Sequence, residues 1–305
     1  MVIIKYKDRV PVKWLCDWTG MSQSNWYYTP KVGKQGRKPS THTYTSDGHA
    51  IPNHVVVDKI RAILSQEFIT YGYEKVTWEL HDEAVVINKK KVYRLMGEAH
   101  LLNSHRRIST RGKRQFVGSY KINAQYPLQY LTMDIKYVYI QGDRRNAYLL
   151  TIMDVFTRRV LAHTLRRSIK QHNVVLLLSG IVDRFDTKGI IIRNDNGSQF
   201  IAHSVRKYLS SVGMKQEFTH IATPQENAYI EALHSTLESD VIQCYWFDSI
   251  YYAKMKIRDY YRVYNAKRKH RSLKRLSPDQ FWNNYKINNQ HLLNQKEIYV
   301  PLIGG

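Results

Sequence analysis

A chain of 305 residues is long enough for about two compact domains, each with a real core. Its 47 Lys and Arg against 25 Asp and Glu give a formal charge of +22, which points to a polyanionic partner, while 43% hydrophobic residues place that charge on folded structure rather than on a disordered tail. Two distant cysteines, Cys16 and Cys244, exclude a disulfide scaffold and a Cys-x-x-Cys motif, and no apolar run approaches the ~20 residues of a membrane span.

The opening MVIIKYKDRVPVKW has no signal-peptide core, so a soluble protein of the reducing cytoplasm, with no membrane contact, is expected. No repeat period and no phosphate-binding Gly-x-x-x-x-Gly-Lys-Ser/Thr is present, which removes solenoids and P-loop nucleotide hydrolysis. Residues 1–53 read as a short helical segment, KWLCDWTGMSQSNWYY, followed by a basic linker rich in turn formers.

Residues 54–112 turn helical, with VVVDKIRAILSQEF, EKVTWELHDE and NKKKVYRLMGEAHLL predicting three short helices. Asn88 is placed to cap the third, which opens on Lys89, Lys90 and Lys91. A helix-turn-helix reader of DNA is written this way, its third helix meeting the major groove with those lysines near phosphates or guanine edges. A small bundle with a solvated lysine face fits the same spacing, and the net charge favours DNA. Beyond it lies a basic stretch with few core residues, carrying Arg106, Arg107, Arg111, Lys113 and Arg114, and residues 113–125 read as a connector that lies along phosphates.

From residue 126 the texture becomes β. YPLQYLTMDIKYVYI, NAYLLTIMDVF and RRVLAHTL predict three consecutive antiparallel strands. A helix around NVVLLLSGIVDRF, a buried strand GIIIRND, a helix SQFIAHSVRKYLSSVG, a short strand MKQEFTH and a long helical region from about 225 follow. The fold class is therefore α/β, a mixed five-stranded sheet flanked by helices and preceded by a small all-α domain.

Carboxylates within apolar strands of so basic a chain need a reason, because burying an unpaired charge costs several kcal/mol. Asp134 alternates away from Met133 and Ile135, and Asp195 ends a buried strand at the kind of sheet edge where ligands bind. Glu231 flanks the helical stripe Ile230, Leu233 and Leu237. Taken singly, each reads equally well as an exposed strand residue, a turn former and a solvated helix residue. Together they invite a divalent-cation site, since three clustered carboxylates would otherwise raise one another's pKa, and oxygen-only donors favour magnesium or manganese.

Thirty-five residues separate Asp195 from Glu231. With TMDIKYV, IIRNDNGSQF, ATPQENAYIEALHSTLE, YNAKRKHRSLKRLSPDQFW and the upstream YGYEKVTWELHDEAVVINKKKVYRLMGEAHLL, the chain resembles the OrfB transposases of the IS-three family of insertion sequences. Their DDE core is ribonuclease-H-like and shared with retroviral integrases. The resemblance covers most of residues 54–285 and implies a catalytic core over 126–285, with a tail at 286–305. It further implies metal-dependent 3′-end cleavage and strand transfer without ATP, with Asp134, Asp195 and Glu231 as the catalytic ligands of two magnesium or manganese ions. Such ions, about 3.5–4 Å apart, flank an in-line phosphoryl transfer. Double-stranded DNA of element ends and target, homo-oligomerisation on DNA, a nucleoid setting and a fusion or partnership with OrfA are implied too.

Family members usually carry Lys or Arg seven residues after the catalytic Glu, where this chain has Glu238. Seven residues at ~100° each fall ~20° short of two turns, so Glu238 shares the face of Glu231 and would meet DNA with the wrong sign, so that either neighbouring bases compensate or activity is reduced. His234 is either a DNA contact or a packed helix residue. Downstream, Lys267, Arg268, His270 and Arg271 belong to a run without an acid, expected on phosphates, and Ser277 is placed to cap a last short helix. Two other readings stay open at this point: a tyrosine recombinase using His203-x-x-Arg206, and a non-catalytic DNA-binding regulator from a decayed element.

Overall fold

A computed structural model describes residues 2–29, 39–103, 122–220 and 227–288. The chain divides into two contact units, Met1–His42 and Thr43–Gly305.

The first unit holds α1 (Val2–Tyr6), α2 (Val12–Thr19) and α3 (Gln23–Trp26) around Ile3, Leu15 and Cys16. Gly20, at φ +67°, ends α2 by donating to Asp17 O, and Ser22 Oγ caps α3 through the Asn25 N–H.

The second unit opens with strands β1 (His42–Thr45) and β2 (Ala50–Pro52), then α4 (Asn53–Leu64), α5 (Tyr73–Asp82), β3 (Val85–Val86) and α6 (Lys89–Glu98). The three helices expected from sequence are present, packed through Val56, Ile60, Val76, Leu80, Val92, Leu95 and Met96. Asn88 Oδ1 caps α6 by accepting the Lys90 N–H at 2.9 Å. The linker expectation for residues 1–53 is corrected at its end. Residues 42–52 form β1 and β2, which join β3 in a three-stranded sheet of order β2-β1-β3, Tyr44 opposite Val86. Short strands paired across forty residues leave no periodic trace in sequence.

Next come β4 (Tyr130–Ile140), β5 (Arg145–Asp154), β6 (Val160–Arg166), α7 (Gln171–Val182), β7 (Ile191–Asn194), α8 (Ser198–Ile201), α9 (His203–Ser211) and β8 (Lys215–Phe218). The chain then continues through α10 (Ala228–Leu237), a π-helical turn (Glu238–Ile242), α11 (Ile250–Lys267), a 3-10 turn (Arg271–Leu273) and α12 (Pro278–Asn288). Ser277 caps α12 in a reciprocal pair: its Oγ accepts the Gln280 N–H at 3.3 Å while Gln280 Oε1 accepts the Ser277 N–H at 2.9 Å.

The sheet order is β6-β5-β4-β7-β8, antiparallel over the first three strands and parallel from β4 through β7 to β8. This is the mixed five-stranded sheet flanked by helices that the sequence implied. Alternation along β4 divides two cores. Leu131 and Met133 face the layer of α7 and α9, with Val174, Leu178, Val205 and Leu209, while Val138 and Ile140 face α10 and α11, with Leu233, Leu237, Ile257 and Tyr261. Asp134 and Lys136 share the parity of Val138, so both emerge on the α10 side. Gly142, in the turn after β4, donates to Phe247 O at 3.1 Å and passes so close to Asp248 that a Cβ there would lie 1.8 Å from its carbonyl oxygen. Among the described residues no helix is long and apolar enough to cross a membrane.

Candidate functional site

Two of the three expected carboxylates meet where α10 crosses β4. Ile230, Leu233 and Leu237 are buried and seat the helix on the sheet, which leaves Glu231 on its exposed flank. The Glu231 carboxyl is held above the usual glutamate range, first by partial withdrawal from water and next by the negative charge of Asp134, against which His234 acts. His234, three residues along α10, is buried, and its Nδ1 lies 3.2 Å from Asp134 Oδ2. It is a packed helix residue that also grips the strand-borne aspartate.

Asp195 is the first residue beyond β7. The parallel register runs Tyr130↔Ile191, Leu131↔Ile192 and Thr132↔Arg193, so Asp134 and Asp195 each stand two residues past the last paired position. Its side chain turns into its own loop, where Oδ1 accepts the Gly197 N–H at 2.9 Å. Among the described residues no three His, Cys, Asp or Glu side chains stand ready-clustered around a cation position. The structure thus pairs His234 with Asp134, sets Glu231 within reach of both charges, and turns Asp195 into its own loop.

Of the two outcomes expected for Glu238, the geometry fits compensation by a neighbouring base. The Glu238 carboxylate lies 2.9 Å from Lys136 Nζ, both side chains being mostly covered, so its charge is answered within the chain by a lysine two residues along β4 from Asp134. No sequence signal links positions 136 and 238; only the packing of α10 on β4 does.

A further acid escapes sequence reading. Asp154, at the end of β5, is fully buried, and burial pushes its carboxyl up although it accepts N–H bonds from Leu128 at 3.0 Å and Thr157 at 2.8 Å. Those bonds tie two loops to the sheet and make Asp154 structural.

The residues expected on DNA separate into three groups. Lys89 and Lys90 are exposed at the start of α6, with Lys91 half-buried beside them. Arg106, Arg107, Arg111, Lys113 and Arg114 lie outside the described residues. In the third group, Lys267 and Arg271 are exposed, but Arg268 and His270 are folded inward and are corrected. Arg268 is paired with the buried Asp240, which also accepts from Thr70 Oγ1 and, at 3.3 Å, from Tyr260 OH. Lys269 reaches Asp82 and Glu79 of α5. The basic run therefore cements the three-helix region to the core. Burial, together with Lys75 and Arg268, drives His270 down to about 3, and burial with Arg268 drives Lys75 down to about 7.

Comparison with known proteins follows this geometry. Family models described as an integrase core domain match residues 124–224 and 212–278, and a model described as an HTH-like domain matches residues 53–108. The chain carries an integrase core domain preceded by an HTH-like domain. An insertion element IS476 protein of Xanthomonas euvesicatoria is 30% identical over 73% of this chain, which spans 63% of that protein's length. A putative transposase for insertion element IS150 of Escherichia coli K12 is 27% identical over 75% of this chain and 83% of its own. Among solved structures, a simian T-cell lymphotropic virus intasome bound to a PP2A regulatory subunit aligns with a TM-score of 0.46 at 13% identity, over 79% of this chain and 78% of that one.

Proposed function

We propose that the chain is a DNA transposase, a polynucleotidyl transferase that cuts the 3′ ends of an insertion element and joins them to target DNA. The observation that carries this is the meeting of Asp134 and Glu231 on one side of the sheet, where partial burial and then the negative charge of Asp134 hold the Glu231 carboxyl up. Neither Asp195 nor Glu231 takes a Lys or Arg partner among the described residues. A donor set of oxygens in which like charges repel fits a hard divalent cation. Asp134, Asp195 and Glu231 would hold it, with Asp195 contributing once its carboxylate turns from Gly197. Magnesium or manganese, two ions per site by the family resemblance, would supply Lewis acidity to a phosphodiester and its attacking hydroxyl.

The chain's own residues do the rest. His234 fixes the Asp134 carboxylate through Nδ1, which limits the rotamers open to it. Lys136 stands on the same strand face as Asp134 and, paired with Glu238, neutralises that acid beside the site. By the same resemblance, several copies assemble on DNA, and fusion to OrfA strengthens end binding.

Cleavage of element-end DNA tests the reading. Activity is expected to disappear in EDTA, to return with magnesium, and to fall about 100- to 1,000-fold in Asp195→Asn. Cutting that persists in EDTA would instead assign a covalent tyrosine mechanism, and binding without cutting under any metal condition would assign a regulator.

A further inference from the structure

Two basic stretches about 180 residues apart in sequence form the walls of one cleft of about 660 Å³. One wall is the start of α6, with Lys89 and Lys90; the other is the turn carrying Arg271, Lys274 and Arg275. Glu74 of α5 is the carboxylate between them and joins the walls: it accepts from Lys89 Nζ at 3.2 Å and, through both oxygens, from Arg271 at 2.8 and 2.9 Å. Among the described residues, Lys90 and Lys274 enter no ion pair, and Arg275 lies over the Trp78 ring at 5.8 Å. Five cations thus surround one acid whose charge is already used.

The second wall is held open by unusual backbone. Lys274 and Arg275 both adopt positive φ, +54° and +69°, which costs non-glycine residues of order 1 kcal/mol each. The turn is closed by Arg275 N–H to His270 O at 2.9 Å and His270 N–H to Leu276 O at 3.0 Å. The strained turn keeps both long side chains exposed beside α6 rather than folded onto the core.

We propose that this cleft is a single track for the phosphate backbone of duplex DNA, so that the start of α6 and the 271–275 turn grip the same DNA segment. The three-helix reader and the catalytic core then share one DNA register through Glu74, rather than binding as independent modules. The proposal rests on the transposase reading for the identity of the polyanion.

The test is binding of a labelled duplex of arbitrary sequence by the full chain, by fluorescence anisotropy between about 50 and 200 mM salt. Lys90→Gln, Lys274→Gln and Arg275→Gln are each expected to weaken binding about 5- to 10-fold near 0.1 M salt and to flatten the log–log salt slope by ~0.9. Lys90→Gln combined with Lys274→Gln should flatten it by ~1.8. Lys274→Arg, which keeps the charge, should match wild type, and melting temperatures should be unchanged throughout. Wild-type affinity and slope in both Lys274→Gln and Arg275→Gln would overturn the shared track, as would salt slopes altered by only one wall. If the variants behave as expected but the wild type never cuts DNA with magnesium, the track stands and the transposase reading falls. A wild type that binds no duplex overturns both.

Discussion

The carboxylates at the α5 joint and those where α10 crosses β4 are treated in opposite ways. At the joint Glu74, Glu79, Asp82 and Asp240 are each tied to a basic side chain of the segment after Tyr264, and Asp240 is fully withdrawn from water. At the crossing, among the described residues, Asp195 and Glu231 have no such partner and Asp134 meets the His234 imidazole. The difference separates carboxylates that hold the molecule together from the three assigned to metal binding under the proposed function.

The most damaging way to break the comparison is to remove the acid at the joint. Asp240→Asn strands the Arg268 guanidinium in a site where its side chain is only 12% exposed, and should cost about 3–5 kcal/mol in urea unfolding. The same substitution at Asp195 should leave the unfolding midpoint unchanged.

Acidification attacks the joint more gradually. His270, held down to about 3, and His163, held down to about 4 by burial and by Arg258 and Arg262, stay neutral in the folded chain but ionise near 6.5 when unfolded. The unfolded chain binds more protons below that value, so this stability is full above about 6.5 and is lost as pH falls toward 4. The raised carboxyls of Asp154, Glu79 and Glu231 have the opposite sign, but act near and above the ordinary carboxylate range. A loss on the order of a few kcal/mol is expected by pH 5, seen as a falling melting temperature that His270→Asn makes shallower. A flat profile between pH 7.5 and 5.5 would contradict the buried, neutral imidazoles.

The smallest effect sharpens the comparison at the other end. Glu238→Gln releases Lys136 beside the carboxylates, and should tighten DNA binding about 2- to 3-fold at low salt while changing stability by less than about 1 kcal/mol. Equal affinity for DNA would mean that Lys136 does not face the phosphates.

Much of this was legible in the residues. The spacing of Val76 and Leu80 and of Val92, Leu95 and Met96 marked α5 and α6, the Asn88 and Ser277 caps marked helix starts, and alternation marked β4. Local signals sufficed there because caps and periodic faces are satisfied within a few residues. The small sheet of β1, β2 and β3 was missed because its strands have two to four residues each and depend on distant partners. The basic run at 267–271 was misread in part because a charge run looks the same whether phosphate or buried carboxylate answers it.

Charge, periodicity and motif order by themselves pointed to a polyanionic partner, the order of elements and the three acids to examine. Tertiary packing alone decided which acids lack a basic partner, that His234 holds Asp134, that Lys136 answers Glu238, and that Arg268 turns inward. The reason is electrostatic. The effect of a charge depends on the counter-charges and the water within a few ångströms of it, and in this chain those neighbours come from positions up to two hundred residues away.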